Sequence, residues 1–206
     1  MDAIKLNFIN QSNDANNSDV VIFQKNVAST YDELAVAWQV IKYCGQGDNH
    51  PFNWPIASSV AASDSWGNYT AQQPAQAGQL FKMVLTPSGD QLQAAGPGSS
   101  PSEIQLANEL PKGAINANVY KDGKLLATKT NVVPGQKAVF QFKPTIWIGV
   151  ASQVEQGQVI NDAIISTVNT ELSLLGIASA DIVMTGGGPG PSSQPFQFTL
   201  QNVQMA

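Results

Sequence analysis

The sequence predicts a mostly β protein, an antiparallel β-sandwich with long Gly/Pro/Asn-rich loops and at most one or two short helices. Three observations carry that expectation. Asp122-Gly123 separates two β-prone runs, and this dipeptide suits a tight hairpin because both central residues need positive φ. Pro134-Gly135 fits the centre of a type II turn, with Pro presetting φ and Gly accepting the positive value. Val139, Gln141 and Lys143 then alternate with Phe140 and Phe142, the period of a half-buried strand. Together they make Ala114–Trp147 read as a β-meander of three strands, the scaffold of a single domain over 1–206.

In chain order, Ile4–Ile9 alternates and reads as a first strand. Asn10–Asp19 is a polar loop, and Asp19–Lys25 a second strand, apolar on both faces and so central. The two are expected to pair as a hairpin. Thr30–Tyr43 fits two patterns. Thr30-x-x-Glu33 suits a capping box, yet Leu34, Val36, Trp38 and Val40 alternate. The neighbouring strands favour strand here.

Gly45–Pro51 reads as a loop before the aromatic stretch Phe52-Asn-Trp54. Ile56–Gly67 is a run of small residues, and Tyr69–Gly78 a loop. Gly78–Leu85 is a strand that turns at Thr86–Asp90 and returns. Gly96–Ser102 breaks the chain as a loop inside one sandwich, and Glu103–Glu109 is a short strand. Pro144–Gln153 continues as a strand. Gln158–Gly176 mixes helical spacing with β-branched residues, giving a short helix by Val168 and a strand over Asn169–Leu175. Ile177–Thr185 and Phe196–Leu200 are strands around Gly186–Pro195, a mobile loop. Aromatics recur two apart at Phe52/Trp54, Phe140/Phe142 and Phe196/Phe198, so each pair shares a sheet face as core filler.

The charges exclude some functions. All ten basic residues are Lys, the net charge is −5 and the pI about 4.6. Without Arg or a basic excess, nucleic-acid binding lacks its main source of affinity. Asn and Gln number 36 against 25 charged residues, so the surface reads as amide-rich and weakly charged. Such a surface accepts sugars or further copies of itself. The N-terminus has neither a basic region nor a long apolar run. It therefore reads as cytoplasmic, or exported without an N-terminal signal peptide. On that reading, the sequons at Asn10, Asn16 and Asn68 carry little meaning.

Catalytic chemistry has thin material. Cys44, Asp48 and the single His50 lie close in sequence, but a nucleophilic arrangement needs a thiolate within reach of an oriented imidazole. Asp14, Asn16 and Ser18 copy the start of a calcium loop, without its Gly and its Glu at the twelfth position. Gly186–Gly190 follows a strand but lacks the Lys-Ser/Thr of a phosphate loop. No catalytic residue, metal site or cofactor is assigned.

Leu6–Asn10, Val20–Gln24, Leu34–Trp38 and Phe52-Asn-Trp54 together resemble the start of the bacterial rhizosphere-expressed RhiA-type proteins. The resemblance covers residues 4–54. It implies an abundant cytoplasmic bacterial protein with no known catalytic residue, and it transfers no functional residue.

The functional expectation is a non-enzymatic protein that self-associates into a homo-oligomer or structural assembly through its sheet edges. The alternative is a carbohydrate- or membrane-binding module, lectin-like or pore-forming-toxin-like. It would use exposed aromatics at Trp54, Trp66 and Tyr69, with Trp147 as a further candidate, beside Asn53 and Asn68.

Overall fold

The computed structural model describes residues 2–14, 18–28, 35–160, 164 and 169–206. Among them, the strands in chain order are β1 (Ala3–Asn10), β2 (Asp19–Phe23), β3 (Gln39–Ile41), β4 (Asn49–Pro55), β5 (Ser58–Ser63), β6 (Gln73–Ala75), β7 (Gln79–Thr86), β8 (Gly89–Pro97), β9 (Ile104–Asn108), β10 (Ile115–Lys121), β11 (Lys124–Val132), β12 (Lys137–Phe140), β13 (Thr145–Ala151), β14 (Thr170–Ser173), β15 (Ile177–Gly187) and β16 (Gln194–Met205). A 3-10 turn covers Gly190–Ser192. The protein is a mostly β, antiparallel-rich sandwich, as its alternation and turn chemistry predict.

The chain divides into two compact units. The first comprises residues 1–24, 36–56 and 144–206; the second comprises 25–35 and 57–143. Gly96–Ser102 is a loop inside the second unit and not a boundary.

The first unit holds two four-stranded sheets, ordered β16-β15-β1-β4 and β14-β13-β2-β3. Along β1, Ile4, Leu6 and Phe8 are buried while Lys5 is exposed, the inward/outward alternation of a strand with one core face. β1 runs parallel to β15 and antiparallel to β4. β2 is buried on both faces at Val20–Phe23 and lies in the interior of its sheet. Trp38, next to β3, meets Trp54 of β4 edge-on with ring centroids 4.7 Å apart, joining the two sheets by an aromatic contact. Phe23 and Trp147, opposite one another in register, stack at 6.4 Å.

The second unit also holds two four-stranded sheets, ordered β11-β10-β5-β6 and β12-β9-β7-β8. Asp122 and Gly123 both have positive φ, 50° and 70°, as the tight β10–β11 hairpin requires. The loop Gly96–Ser102 is held by Gln105, whose side-chain amide donates to Ser99 Oγ at 2.7 Å and to Glu103 Oε2 at 2.6 Å.

Several expectations are corrected. β1 and β2 do not form a hairpin: both neighbours of β1 are β15 and β4, and Asn10–Asp19 carries the chain from one sheet to the other. The meander ends after two strands. β12 pairs with β9 and not with β11. The Pro134-Gly135 turn forms, with Gln136 N donating to Val133 O at 3.0 Å, but it is docked on Asn108 of β9. Gly135 N donates to Asn108 O at 2.8 Å, and Asn108 N to Gln136 O at 2.9 Å, so the turn delivers the chain to the opposite sheet. Asn49–Pro51 belongs to β4, not to a loop. Gly186 and Gly187 close β15, and Gln194-Pro195 opens β16. Within Tyr69–Gly78, β6 is a short strand. The Thr30–Glu33 capping box and most of the helix expected before Val168 lie outside the described residues. Gln39–Ile41 is strand, and so is Thr170–Ser173.

Candidate functional site

The residues expected to bind ligand fall in different places. Asn53 and Trp54 lie on β4 in the first unit; Trp66, Asn68 and Tyr69 lie after β5 in the second. Trp54 is not a surface aromatic: it is 4% exposed and packed on Trp38. It faces inward because its even-numbered neighbours on β4 share the core side, while Asn53 is exposed on the other face. Trp147 is half-buried and stacked on Phe23.

Trp66 is 88% exposed and Tyr69 67% exposed. A turn built on Asp64 presents them. Asp64 Oδ1 accepts from Trp66 N at 2.8 Å and Asn68 N at 2.9 Å, and Oδ2 accepts from Asn68 Nδ2 at 2.7 Å. These bonds, led by the Asn68 side chain, hold the Asp64 carboxyl below its usual range. Gly67 takes the positive φ that the turn needs. Tyr69 bridges back to Ser63, and Thr70 N donates to Ala62 O at 2.9 Å. Burial pushes the nearby Tyr120 phenol up, with a smaller contribution from Tyr69. Asn68 is committed to Asp64, so the turn offers two aromatic faces more than a set of free amides.

The residues considered for catalysis have structural surroundings. Cys44 is buried, and its carbonyl accepts from Asn10 Nδ2 at 2.7 Å. Burial, then the charge of Asp48, pushes its thiol up, away from the thiolate that nucleophilic chemistry uses. His50 sits on β4 opposite Phe8. Asp14 closes its own loop, with Oδ2 accepting from Ser18 N at 2.6 Å; Asn16 lies outside the described residues. Among the described residues, no three His, Cys, Asp or Glu side chains gather as a metal site.

The glycine run has a packing role. A Cβ on Gly186 would lie 2.2 Å from Pro195 O, and one on Gly187 2.8 Å from Phe196 Cε1 and 3.2 Å from Asp14 N. Only glycine lets the start of β16 and the Asn13 bridge approach this closely.

The sheet edges differ sharply in protection. In the second unit, β6 is three residues with Pro74. β12 is covered by residues 26–28, where Asn26 Nδ2 donates to Val139 O at 2.9 Å and Val27 N to Gln141 O at 2.8 Å. β11 carries Lys124 and Lys129, and Ala35 bridges to its Ala127. β8 has Asp90 and Pro97, and its Leu92 carbonyl is taken by the Gln73 amide. In the first unit, β3 and β14 are short. β4 carries Pro51 and Pro55. Asp48 O accepts from Asn10 and Ile56 N donates to Asp2, so even-numbered backbone groups face β1 and the prolines face outward, where they remove edge donors.

Among the described residues, β16 has no such guard beyond Pro195 near its start. It is 12 residues long, ends its sheet and, from Phe196 to Met205, has neither a charge nor a proline. The local alternation predicts strand only over Phe196–Leu200. The available signal was the absence of any charged residue from Ile182 to Ala206.

The family model for RhiA matches residues 1–180. The chain belongs to the RhiA family. The resemblance seen in residues 4–54 therefore extends over most of the RhiA chain, while β16 lies beyond the matched span. No curated protein matches the chain, and no solved structure does. No helix among the described residues is long and apolar enough to cross a membrane.

Proposed function

We propose that this RhiA-family chain is a non-enzymatic protein that acts by self-association into a homo-oligomer or structural assembly. The observation that supports this reading is the edge of β16, uncharged throughout and without proline from Phe196 to Met205, beside edges that are short, charged, proline-bearing or covered. An open strand edge presents unpaired backbone donors and acceptors, and a neutral one presents no repulsion to a copy of itself. The cytoplasm, or export without an N-terminal signal, is the compartment proposed with it. Light scattering coupled to size exclusion, over a wide concentration range, tests the reading: mass should rise with concentration. A strict monomer throughout would falsify it.

A second reading rests on Trp66 and Tyr69, two exposed aromatics on a hydrogen-bonded turn, as a stacking surface for carbohydrate or a lipid surface. Tryptophan fluorescence titrated with neutral glycans and with zwitterionic vesicles tests it. A shift abolished by Trp66→Ala supports it, and no shift with either probe overturns it.

A further inference from the structure

We infer that β16 pairs antiparallel with β16 of a second copy, on a two-fold axis at Thr199, joining two four-stranded sheets into one of eight strands. This rests on the self-association reading and assigns it an edge and a register.

The ladder between β15 and β16 is regular only from Asp181↔Gln201 to Thr185↔Gln197, with irregularities at both ends. Asn202, at φ 49°, sits at one of them. The straight part of the free edge is therefore Gln197-Phe-Thr-Leu-Gln201. Bulges twist a strand out of line, so a partner strand is best placed along this segment.

The segment is nearly its own mirror. An antiparallel two-fold at Thr199 sets Gln197 opposite the partner's Gln201, Phe198 opposite the partner's Leu200, and Thr199 opposite the partner's Thr199. Each is a favourable cross-strand pair: amide with amide, aromatic with aliphatic, hydroxyl with hydroxyl. The faces agree as well. Phe198 is buried and Leu200 half-buried on one side, while Gln197, Thr199 and Gln201 are exposed on the other. Pairing in this register extends the apolar face across the junction and covers Leu200. A one-residue slip would set apolar side chains against polar ones.

The occupant is a second copy because an isologous contact brings each residue against its symmetry mate or near it. Any charge in this strand would meet its like there; from Ile182 to Ala206 there is none. The other edge of the same sheet, β4, is closed to the same use by Pro51 and Pro55.

The test uses the full chain in three forms: wild type, Gln197→Lys/Gln201→Lys, and Gln197→Glu/Gln201→Glu. All substitutions are at exposed positions, and unchanged thermal melting confirms folding. Sedimentation equilibrium should show the wild type associating and each double variant at least about tenfold weaker, since like charges then face each other twice. An equimolar mixture of the Lys and Glu variants should regain association as a heterodimer. Asn53→Lys, on β4, should leave the wild-type constant unchanged. If the wild type is monomeric, both the reading and this assignment fail. If the wild type associates and the Lys variant does so equally, the assignment to β16 fails while self-association stands. If both charged variants are monomeric and their mixture stays so, the antiparallel register is overturned.

Discussion

The two units close their sheets with different chemistry. In the first, Trp38 and Trp54 bridge the sheets as rings packed edge to face. In the second, an amide bridges them: Asn108 on β9 donates from Nδ2 to Val132 O on β11 at 2.8 Å and to Gly113 O at 2.9 Å, while its Oδ1 accepts from Leu110 N at 3.1 Å. Asn118 adds a second buried network, accepting from Thr128 Oγ1 at 2.8 Å and donating to Ser63 Oγ at 3.3 Å. Burying rings gains apolar contact and tolerates small displacements; a buried amide gains little net energy but is costly to leave half-satisfied. The first unit should therefore lose stability by lost packing, the second by orphaned backbone groups.

The largest expected effect breaks the aromatic bridge. Trp38→Ala should cost about 3–5 kcal/mol in denaturant unfolding, because it empties a large buried volume against Trp54 and Phe52. A cost below about 1 kcal/mol would show that the rings do not hold the sheets.

Asn108→Ala comes next, at about 2–4 kcal/mol, since it strands Leu110 N and Val132 O in a buried site and also removes the bond to Gly113 O. Hydrogen exchange should show the Pro134-Gly135 turn opening first.

The third prediction concerns Lys121 in the second unit, whose burial lowers its pKa to about 8. The unfolded chain holds that proton up to the ordinary value of 10.5, so between about pH 8 and 10.5 it binds more protons than the folded chain. Stability should rise with pH through that window, by at most roughly 3 kcal/mol. Lys121→Met should flatten the rise in pH-dependent urea melts.

A smaller effect reads the Trp66 turn. The Asp64 carboxyl is held below its usual range, so its bonds should persist until pH falls below the ordinary carboxylate range and then be lost. Trp66 fluorescence anisotropy should drop there, and Asp64→Ala should show the low value at neutral pH. The smallest concerns edge protection. Pro51→Thr restores an outward donor to β4 and should change stability by less than about 1 kcal/mol, while raising concentration-dependent association. Association unmoved by it would mean that proline does not guard this edge.

Much of the fold is legible in residues close together in the sequence. Ile4, Leu6 and Phe8 alternate, Val20–Phe23 is apolar on both faces, and Asp122-Gly123 specifies its own turn, so β1, β2 and the β10–β11 hairpin are read correctly. Sheet membership is not legible this way. Nothing local in Lys137–Phe140 says that it pairs with Ile104–Asn108, and the deciding contact is the docking of its preceding turn on Asn108. Amide counting also misleads: Asn10, Gln105, Asn108 and Asn118 are buried connectors, not surface. Trp54 and Trp66 look equivalent in the sequence, yet one is core and the other surface, because strand parity turns Trp54 inward and the Asp64 turn lifts Trp66 out.

By itself, then, the sequence determined a mostly β chain, its tight turns, its weak charge without Arg and its RhiA-type beginning. These follow from side-chain periodicity, φ preferences and composition, which act over a few residues. The tertiary structure alone decided which strands share a sheet, how the chain divides into two units, why Gly186 and Gly187 must be glycine, and which strands end their sheets. Those depend on backbone groups far apart in the chain meeting or failing to meet a partner, and no local pattern encodes that.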